Sequence, residues 1–592
     1  MSLQTLNDVF FTVVDSNQPQ VMLHKERDVW IPISSQQLYA RVIATARALR
    51  GWGIGRGDRV AILSENRPEW TIADFASLLL GAVTVPIYAT LTTEHIAYLL
   101  QDAGVRVLFV STAAQINKLL PVVSARLVER AVVMDSVETP NATPMQEFVA
   151  STGDRDQEIE KIARSVVAGD SATIIYTSGT TGTPKGVMLT HENMTSNVVC
   201  SLQGFEVGSG QVSISFLPLS HVTARHVDFA LLSRGVTLAY VPFVDQLPRA
   251  LLEVKPTLFV GVPRVYEKIH NQVIREVNKL PKRWIYDWAL SVGRSYRAET
   301  LAGKKPESAQ WRLAQRLVFS KIRAAMGGRA EIFISGGAPL GRELAQWYAD
   351  IGIRLHEGYG LTETSPVIAV NTPRAHKMGT VGRPLSNVEV KIAADGEILV
   401  RGPSVFKSYW KKPEETRNAF ADGWFKTGDI GNLDADGFLS VTDRKKDLIK
   451  TSGGKFIAPQ PIENSLKHNA LVAEAVVLGD RRKFPAVLIS PNFAALEAWA
   501  RENKIAFSSR QGLVSLPEVQ VLYERIVEEV NQNLARFEKL KRVLLVADEF
   551  TAEDGTLTAS LKMRRRVVEE RHRQQIDQMY AEAEEVAVSR AD

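Results

Sequence analysis

Between residues 28 and 110, short apolar runs alternate with stretches whose apolar residues recur at helical spacing, and this alternation restricts the fold more than any other feature. Residues 36–49 have the period of an amphipathic helix. Gly55-Arg56-Gly57-Asp58 is a turn, Arg59–Leu63 a strand, 73–80 a buried helix and 82–88 a second strand. Strands separated by helices pair in parallel through crossovers, which predicts an α/β fold with a doubly wound, largely parallel sheet. At 592 residues the chain exceeds what one hydrophobic core serves, so at least two domains are expected.

A loop between two strands carries the strongest chemical signal. An apolar run at 172–176 enters Thr177-Ser178-Gly179-Thr180-Thr181-Gly182-Thr183-Pro184-Lys185-Gly186, and another at 187–189 leaves it. Glycine permits positive φ and close approach of backbone, so successive amide N–H groups can turn toward an anion. The hydroxyls add donors, and Lys185 adds a mobile point charge. This composition suits a phosphate grip. It is not the common P-loop, in which Gly-Lys is followed by Ser/Thr and a helix. Here Pro184 precedes the lysine, Gly186 follows it, and a strand comes next. The same residues could make a plain polar hairpin loop, so the neighbouring motifs decide.

Bulk numbers exclude little. The net charge of +5, from 71 basic and 66 acidic residues, is mild for this length and gives no reason to expect a nucleic-acid partner. The single cysteine, Cys200, allows no internal disulfide and suits a reducing, cytoplasmic setting; a buried spacer is its expected role. Residues 1–11 lack the layout of a signal peptide, and the apolar stretch at 75–85, closed by Pro86, is too short to span a bilayer. Peripheral contact at the inner membrane face stays open.

Further along, residues 140–160 read as a polar surface connection and 191–202 as a helix. His221 ends an apolar run and is as readily a satisfied polar group as a ligand contact. Residues 257–262 read as a strand, with Pro263 opening a helix. Residues 280–320, with Trp284, Trp288 and Trp311, read as amphipathic helix whose aromatic stripe faces the core. The strand Ile332–Ser335 breaks at Gly336-Gly337-Ala338-Pro339, where a flat ring could lie against the backbone; Pro339 suits the first turn of the next helix. Then comes Leu355-His356-Glu357-Gly358-Tyr359-Gly360-Leu361-Thr362-Glu363-Thr364. Tyr359, between two glycines, offers a face for stacking on adenine. Glu363 is a hard carboxylate oxygen donor suited to Mg²⁺.

Residues 388–392 and Glu397–Arg401 read as a hairpin around Asp395-Gly396, so a β-rich layer joins the two wound halves. Asp429, after a Thr427-Gly428 turn, could accept hydrogen bonds from both ribose hydroxyls. A strand at 437–442 ends in the charge run Asp443-Arg444-Lys445-Lys446-Asp447-Leu448-Ile449-Lys450, which reads as a linker and sets a boundary between domains 1–445 and 446–592. Beyond it, Ser452-Gly453-Gly454-Lys455 is a glycine-rich turn into a small α/β domain. Helices are expected there at 461–467 and 522–534, and strands at Val472–Leu478 and 486–489. Lys562 stands in a Thr-rich, basic stretch near the end.

In this order, these strings resemble the AMP-forming adenylate enzymes: acyl-CoA synthetases, luciferases and peptide-synthetase adenylation domains. Ser64-Glu65-Asn66-Arg67-Pro68-Glu69-Trp70 and Gly261-Val262-Pro263-Arg264-Val265-Tyr266-Glu267-Lys268 are similar to the long-chain fatty acid–CoA ligases of bacteria. The resemblance covers nearly the entire chain. It implies a large N-terminal domain of two doubly wound α/β subdomains plus a β-rich layer, and a small mobile C-terminal domain that pivots at Lys446. It also implies ATP, Mg²⁺, coenzyme A and a fatty acid as the ligands. Nucleotide contacts are then expected at Thr177, Ser178, Gly179, Thr180, Thr181, Gly182, Lys185, Gly337, Ala338, Glu357, Gly358, Tyr359, Thr362, Asp429, Arg444, Lys446 and Lys450. Mg²⁺ falls to Glu363 with Thr177, and the acyl side to His221. Gly453, Gly454 and Lys455 are expected to line a path for coenzyme A. Lys562 matches the lysine that bridges the substrate carboxylate and the α-phosphate, and with Glu363, Thr177 and Lys185 it makes up the expected catalytic set. No tryptophan stands just beyond His221 of the kind that gates the acyl tunnel in some relatives, which leaves chain length open. An acyl-AMP ligase serving a carrier protein and a non-catalytic nucleotide-binding scaffold are the alternatives. Homodimers occur in the family, and the oligomeric state stays open.

Overall fold

The computed structural model describes the chain apart from residues 1–2, 120–126, 137–138, 140–141, 150–155, 178–183, 278–281, 453–454, 552–553, 559–562 and 589–592, and the side chains of 584–588. By internal contacts it divides into two units. One comprises Met1–Ala393, Leu399–Thr427 and Leu433–Ser440; the other comprises Ala394–Ile398, Gly428–Asn432 and Val441–Asp592.

The larger unit is built on an eight-stranded sheet. Its order is Ser408–Tyr409, Lys185–Thr190, Ser171–Thr177, Val83–Ile87, Arg59–Leu63, Val107–Val110, Arg130–Val133 and Thr143–Pro144. From Ser171–Thr177 to Thr143–Pro144 neighbouring strands run parallel, and the other end turns antiparallel. Val83–Ile87 and Val107–Val110 are buried at every position, as strands covered on both faces must be. The helix Pro68–Leu79, opened by its proline, is buried along nearly its whole length against this sheet's core. A second sheet runs Leu258–Gly261, Ile332–Ser335, Leu355–Gly360, Val367–Val370 and Arg383–Pro384; its first three strands are parallel and the rest antiparallel. A third contains Val212–Ser215, Thr237–Tyr240, Met22–Glu26 and Val29–Ile33. The α/β, doubly wound class expected from strand–helix spacing is the one observed.

The smaller unit packs Pro459–Lys467 and Pro517–Asn531 on a three-stranded sheet of Val472–Leu478, Ala486–Pro491 and Val543–Leu545. Ile462, Val477, Ile489, Leu496 and Tyr523 form its core.

Several local readings need correction. The stretch read as a surface connection contains the edge strand Thr143–Pro144 and the helix Gln157–Ser165, whose Asp156 cap accepts from the amides of Glu158 and Ile159. Pro339 does not open a helix; the next one is Arg342–Asp350, capped by Gly341. The 280–320 region breaks into Lys282–Leu301, Ala309–Ala314 and the π-turn Gln315–Phe319. Trp311 is buried as expected, but Trp284 is 79% exposed. Cys200 is buried. Among the described residues no helix is long and apolar enough to cross a membrane.

Candidate active site

Ser178, Gly179, Thr180, Thr181 and Gly182 lie outside the described residues, but the two strands that hold the ends of their loop do not. Thr177 pairs with Lys185 across an antiparallel ladder. Ala172, Ile174 and Ile175 are buried, which anchors the incoming strand. Gly186 is required by packing, since a Cβ there would come within 2.8 Å of Ile174 Cγ2 and 3.1 Å of Trp410 Cβ. On the neighbouring edge strand, Tyr409 lies opposite Val187. Its hydroxyl donates to Glu363 Oε1 at 2.9 Å, and Lys185 Nζ sits 5.4 Å from its ring centre. Burial and the charge of Glu363 push the phenol well above its ordinary range, so it stays a donor. Tyr409 thus ties together the loop lysine and the expected metal carboxylate. Sequence reasoning missed it; the only signal was a tyrosine in Phe406-Lys407-Ser408-Tyr409-Trp410, downstream of every motif it serves.

The carboxylate itself stands on the short turn Thr362–Thr364, which packs against Lys185–Thr190. Its backbone oxygen accepts from the Phe406 amide at 2.7 Å. Thr364 Oγ1 donates to Pro366 O at 2.5 Å, and Asn197 Nδ2 donates to Val367 O at 2.7 Å, so the turn is pinned from two sides. Gly360 permits the chain to fold back this tightly, because a Cβ there would lie 1.8 Å from Pro366 O. Tyr359 precedes it, at a β-bulge. Glu357 stands opposite Ser335 on the adjacent strand, and burial raises its carboxyl to about 8. Gly337, just beyond that strand, adopts φ +81°.

Next to this frame lies a pocket. Gly336, Gly337, Gly358, Tyr359 and Gly360 form one part of its lining, and Leu202, Leu217, Val260, Ile334, Val367 and Val370 another. Thr223, His226, Val227, Ala230 and Leu231 supply a third part from the helix Val222–Ser233. That helix is fixed from behind. Arg225 forms two bonds to Asp74, at 2.7 and 2.6 Å, and one to Thr84. Ser215 Oγ donates to Asp228 at 2.9 Å. His221 is its cap: Nδ1 accepts the Thr223 amide at 3.1 Å, and His221 does not line the pocket.

Other expected residues fall in the smaller unit. Asp429 is 4% exposed and lies within the long strand Trp424–Leu433, not in the turn expected for it. Arg444 Nε is 3.3 Å from its Oδ1. The charge run also carries ion pairs. Lys445 Nζ binds Asp395 at 2.6 Å and Glu397 at 2.7 Å. Asp443, raised to about 6 by burial, accepts the amides of Gln460 and Arg444. Lys450 is on the two-residue strand Ile449–Lys450, paired with Phe456–Ile457, and the Thr451 amide closes the turn onto Lys455 O at 3.0 Å. Gly453, Gly454 and Lys562 lie outside the described residues.

Mg²⁺ is held through one or two carboxylates plus substrate phosphates rather than by an all-protein cage. Glu363, a single carboxylate oriented by a phenol, fits that mode. Among the described residues no group of three or more His, Cys, Asp or Glu side chains could hold a metal ion.

Fold and site together define an adenylate-forming enzyme, and sequence comparison gives the same class. The AMP-binding enzyme model matches residues 14–410, and the AMP-binding enzyme C-terminal domain model matches residues 446–584; the chain belongs to this family. It is 36% identical over 567 residues to the long-chain-fatty-acid–CoA ligase FadD15 of Mycobacterium bovis, covering 93% of each chain. It is 30% identical to the long-chain-fatty-acid–CoA ligase ACSBG2 of Xenopus laevis, over 98% of this chain and 84% of that one. The solved adenylation domain of a carboxylate reductase from Mycobacterium chelonae has the same fold, with a TM-score of 0.74 at 21% identity, over 98% of this chain and 91% of that one.

Proposed function

We propose that the chain is an AMP-forming long-chain fatty acid–CoA ligase, an enzyme that forms carbon–sulfur bonds. The observation that carries this reading is a mainly apolar pocket that shares Gly337 and Tyr359 with the expected nucleotide frame. It suits a hydrocarbon tail whose carboxylate meets a nucleotide. The relatives' names supply the class of acid.

A carboxylate is a poor acyl donor, because its oxygen anion leaves badly. In the first half-reaction a carboxylate oxygen attacks the α-phosphorus of ATP and pyrophosphate leaves, giving the acyl-adenylate. In the second, the thiol sulfur of coenzyme A attacks the acyl carbon, AMP leaves and the thiol proton is released. The first step brings two anions together, so positive charge aimed at the phosphates is the main requirement. The amides and hydroxyls of Thr177 to Gly182 and the Lys185 ammonium supply part of it. Glu363, oriented by Tyr409, would hold Mg²⁺ together with Thr177, and the ion supplies further charge against the phosphates when bound. Lys562 is assigned the carboxylate and the α-phosphate. Asp429 and Arg444 are assigned the ribose, Lys446 and Lys450 further nucleotide contacts, and Gly453, Gly454 and Lys455 the path of coenzyme A.

We place the domain boundary at 445/446, with the pivot at Lys446. The gap between the two family matches, from 410 to 446, supports this; by their internal contacts Ala394–Ile398 and Gly428–Asn432 also belong to the smaller unit. The test follows pyrophosphate release with acids of several lengths, then thioester by mass spectrometry. ATP- and acid-dependent release with thioester formation is the expected result. Release without thioester would point to an acyl-AMP ligase serving a carrier, and no release from any acid overturns the reading. Lys562→Ala should lower acyl-adenylate formation by about 100- to 1000-fold yet still convert supplied acyl-adenylate to thioester. Equal loss of both halves would reject that role. Sedimentation velocity and vesicle flotation on the same preparation decide self-association and peripheral membrane contact.

A further inference from the structure

One stretch of the larger unit holds no acid at all. From Ser308 to Ala330 the sequence carries Arg312, Arg316, Lys321, Arg323 and Arg329 and neither Asp nor Glu, in a chain whose 71 basic and 66 acidic residues nearly balance. The stretch folds as Ala309–Ala314, the π turn Gln315–Phe319 and Ser320–Ala325, with helical backbone at both joints. Trp311, Ala314, Val318, Phe319 and Ile322 face the core. Arg323 is turned inward too, donating to Gly352 O.

The opposite side is exposed and is not simply polar. Leu313 and Leu317 are 49% and 39% exposed, and Arg312, Arg316, Ser320, Lys321 and Ala324 are exposed with them. These residues make two rows with steps of four, 312–316–320–324 and 313–317–321. In a plain α-helix residues four apart drift by about 40° per step. The π turn closes its bonds over five residues and winds the helix back, so both rows stay on the solvent side. Neighbouring helices continue the pattern. Leu247–Val254, packed on Ser320–Ala325, leaves Leu252 53% exposed and commits its one acid, Glu253, to Lys25 and Arg249. Lys282–Leu301, packed on Ala309–Ala314, opens with Lys282, Arg283 and the exposed Trp284 and Ile285; its Asp287 is paired with Arg283.

A single exposed leucine needs no explanation. Two leucines one turn apart, set among arginines and lysine with no acid nearby, have the composition of a helix that lies in a lipid interface. Nucleic acid would satisfy the cations and leave the leucines in water. An anionic bilayer satisfies both, since the long basic stems run along the apolar boundary while their heads reach phosphates. We propose that the exposed face of residues 309–325 docks on an anionic lipid bilayer, with Leu313 and Leu317 entering the headgroup boundary and Arg312, Arg316 and Lys321 on lipid phosphates. Docking needs neither acid nor ATP, so this surface stands independently of the ligase reading.

The test floats the full chain, without substrates, on vesicles of phosphatidylcholine alone or of phosphatidylcholine and phosphatidylglycerol in equal parts, at rising salt. Binding to the mixed vesicles, weakened by salt, with little on phosphatidylcholine alone is the expected result. Leu313→Ser with Leu317→Ser should lower the partition by about 10- to 100-fold, for half-exposed side chains that lose their burial in lipid. Arg312→Gln, Arg316→Gln and Lys321→Gln together should lower it by about 100-fold and remove most of the salt dependence. All five positions are exposed, so thermal unfolding should match wild type. A wild type that floats with neither vesicle, or equally with both, overturns the proposal and needs no variant. A folded leucine variant that binds as tightly as wild type shows a face for any polyanion and overturns it as well. Failure of the ligase reading looks different: it abolishes pyrophosphate release and leaves these partitions unchanged.

Discussion

Tyr409→Phe removes one hydroxyl from the site and leaves the ring under Lys185. The lost contact is the 2.9 Å bond to Glu363 Oε1. A hydrogen bond to a charged group contributes about 1.5–3 kcal/mol, which is about 10- to 150-fold in rate if the bond orients Glu363 only in the transition state. Tyr409→Leu removes the ring as well, and with it the attraction on Lys185 at 5.4 Å. That adds about 0.5–1 kcal/mol, or a further two- to fivefold. The assay is pyrophosphate release at saturating acid, titrated with Mg²⁺ at fixed ATP. For Tyr409→Phe, kcat falls and half-saturation moves to higher Mg²⁺, because the free carboxylate samples orientations that do not serve the ion. For Tyr409→Leu, affinity for ATP weakens in addition. The ring also packs 4.7 Å from Phe406, so thermal unfolding of both variants separates a packing loss from a site effect. A Phe variant within twofold of wild type at every Mg²⁺ concentration refutes the tie between Tyr409 and Glu363. A Leu variant no worse than Phe refutes the role of the ring.

Gly360→Ala forces a Cβ to 1.8 Å from a backbone oxygen that cannot yield cheaply, so soluble yield or ATP binding should be lost outright; normal ATP affinity in a titration would contradict the fold-back geometry. Arg225→Met leaves Asp74 buried without its partner and should lower stability to urea by about 3–5 kcal/mol, while Arg225→Met with Asp74→Leu should recover most of it; the two side chains are 1% and 0% exposed. Asp228, raised to about 7 by burial, contributes stability that is complete below about pH 4 and lost as pH rises through 7. Asp228→Asn should therefore gain on wild type by about 2–3 kcal/mol between pH 5 and 8, and a pH-independent difference in urea midpoints would show that the acid is not buried as described.

Local periodicity carried the strands well. Arg59–Leu63, Ile332–Ser335 and Val472–Leu478 fall where apolar runs bounded by turns place them. What escaped depends on partners distant in sequence. Thr143–Pro144 is a strand only because Arg130–Val133 offers it an edge, and two residues carry no period of their own. Asp429 read as a turn residue because Gly428 precedes it, but the pairing of Trp424–Leu433 continues through that glycine's positive φ of 73°. Among the candidate site residues, Thr177, Lys185, Tyr359 and Glu363 stand out in the sequence through glycine and hydroxyl neighbours. Tyr409 does not, since it acts through a side-chain bond over 46 residues.

The helix Val222–Ser233 shows why a pocket wall can carry so much buried polarity. Thr223, His226, Val227, Ala230 and Leu231 recur at three- and four-residue spacing and share one face; Arg225, Asp228, Phe229 and Leu232 occupy the opposite one. If both faces were simply apolar, a rotation about the helix axis would exchange one greasy surface for another at little cost, and the pocket would lose its shape. With Arg225 locked to Asp74 and Thr84, and Asp228 to Ser215, the same rotation would leave a guanidinium and two carboxylates buried without partners. The ion pair therefore adds little net stability and fixes which side chains face the pocket. The Arg225→Met, Asp74→Leu double variant separates these two effects: with stability near wild type, it should still discriminate less among acids by kcat/KM. A double variant that keeps both its stability and its discrimination would show that packing alone sets the orientation of this wall.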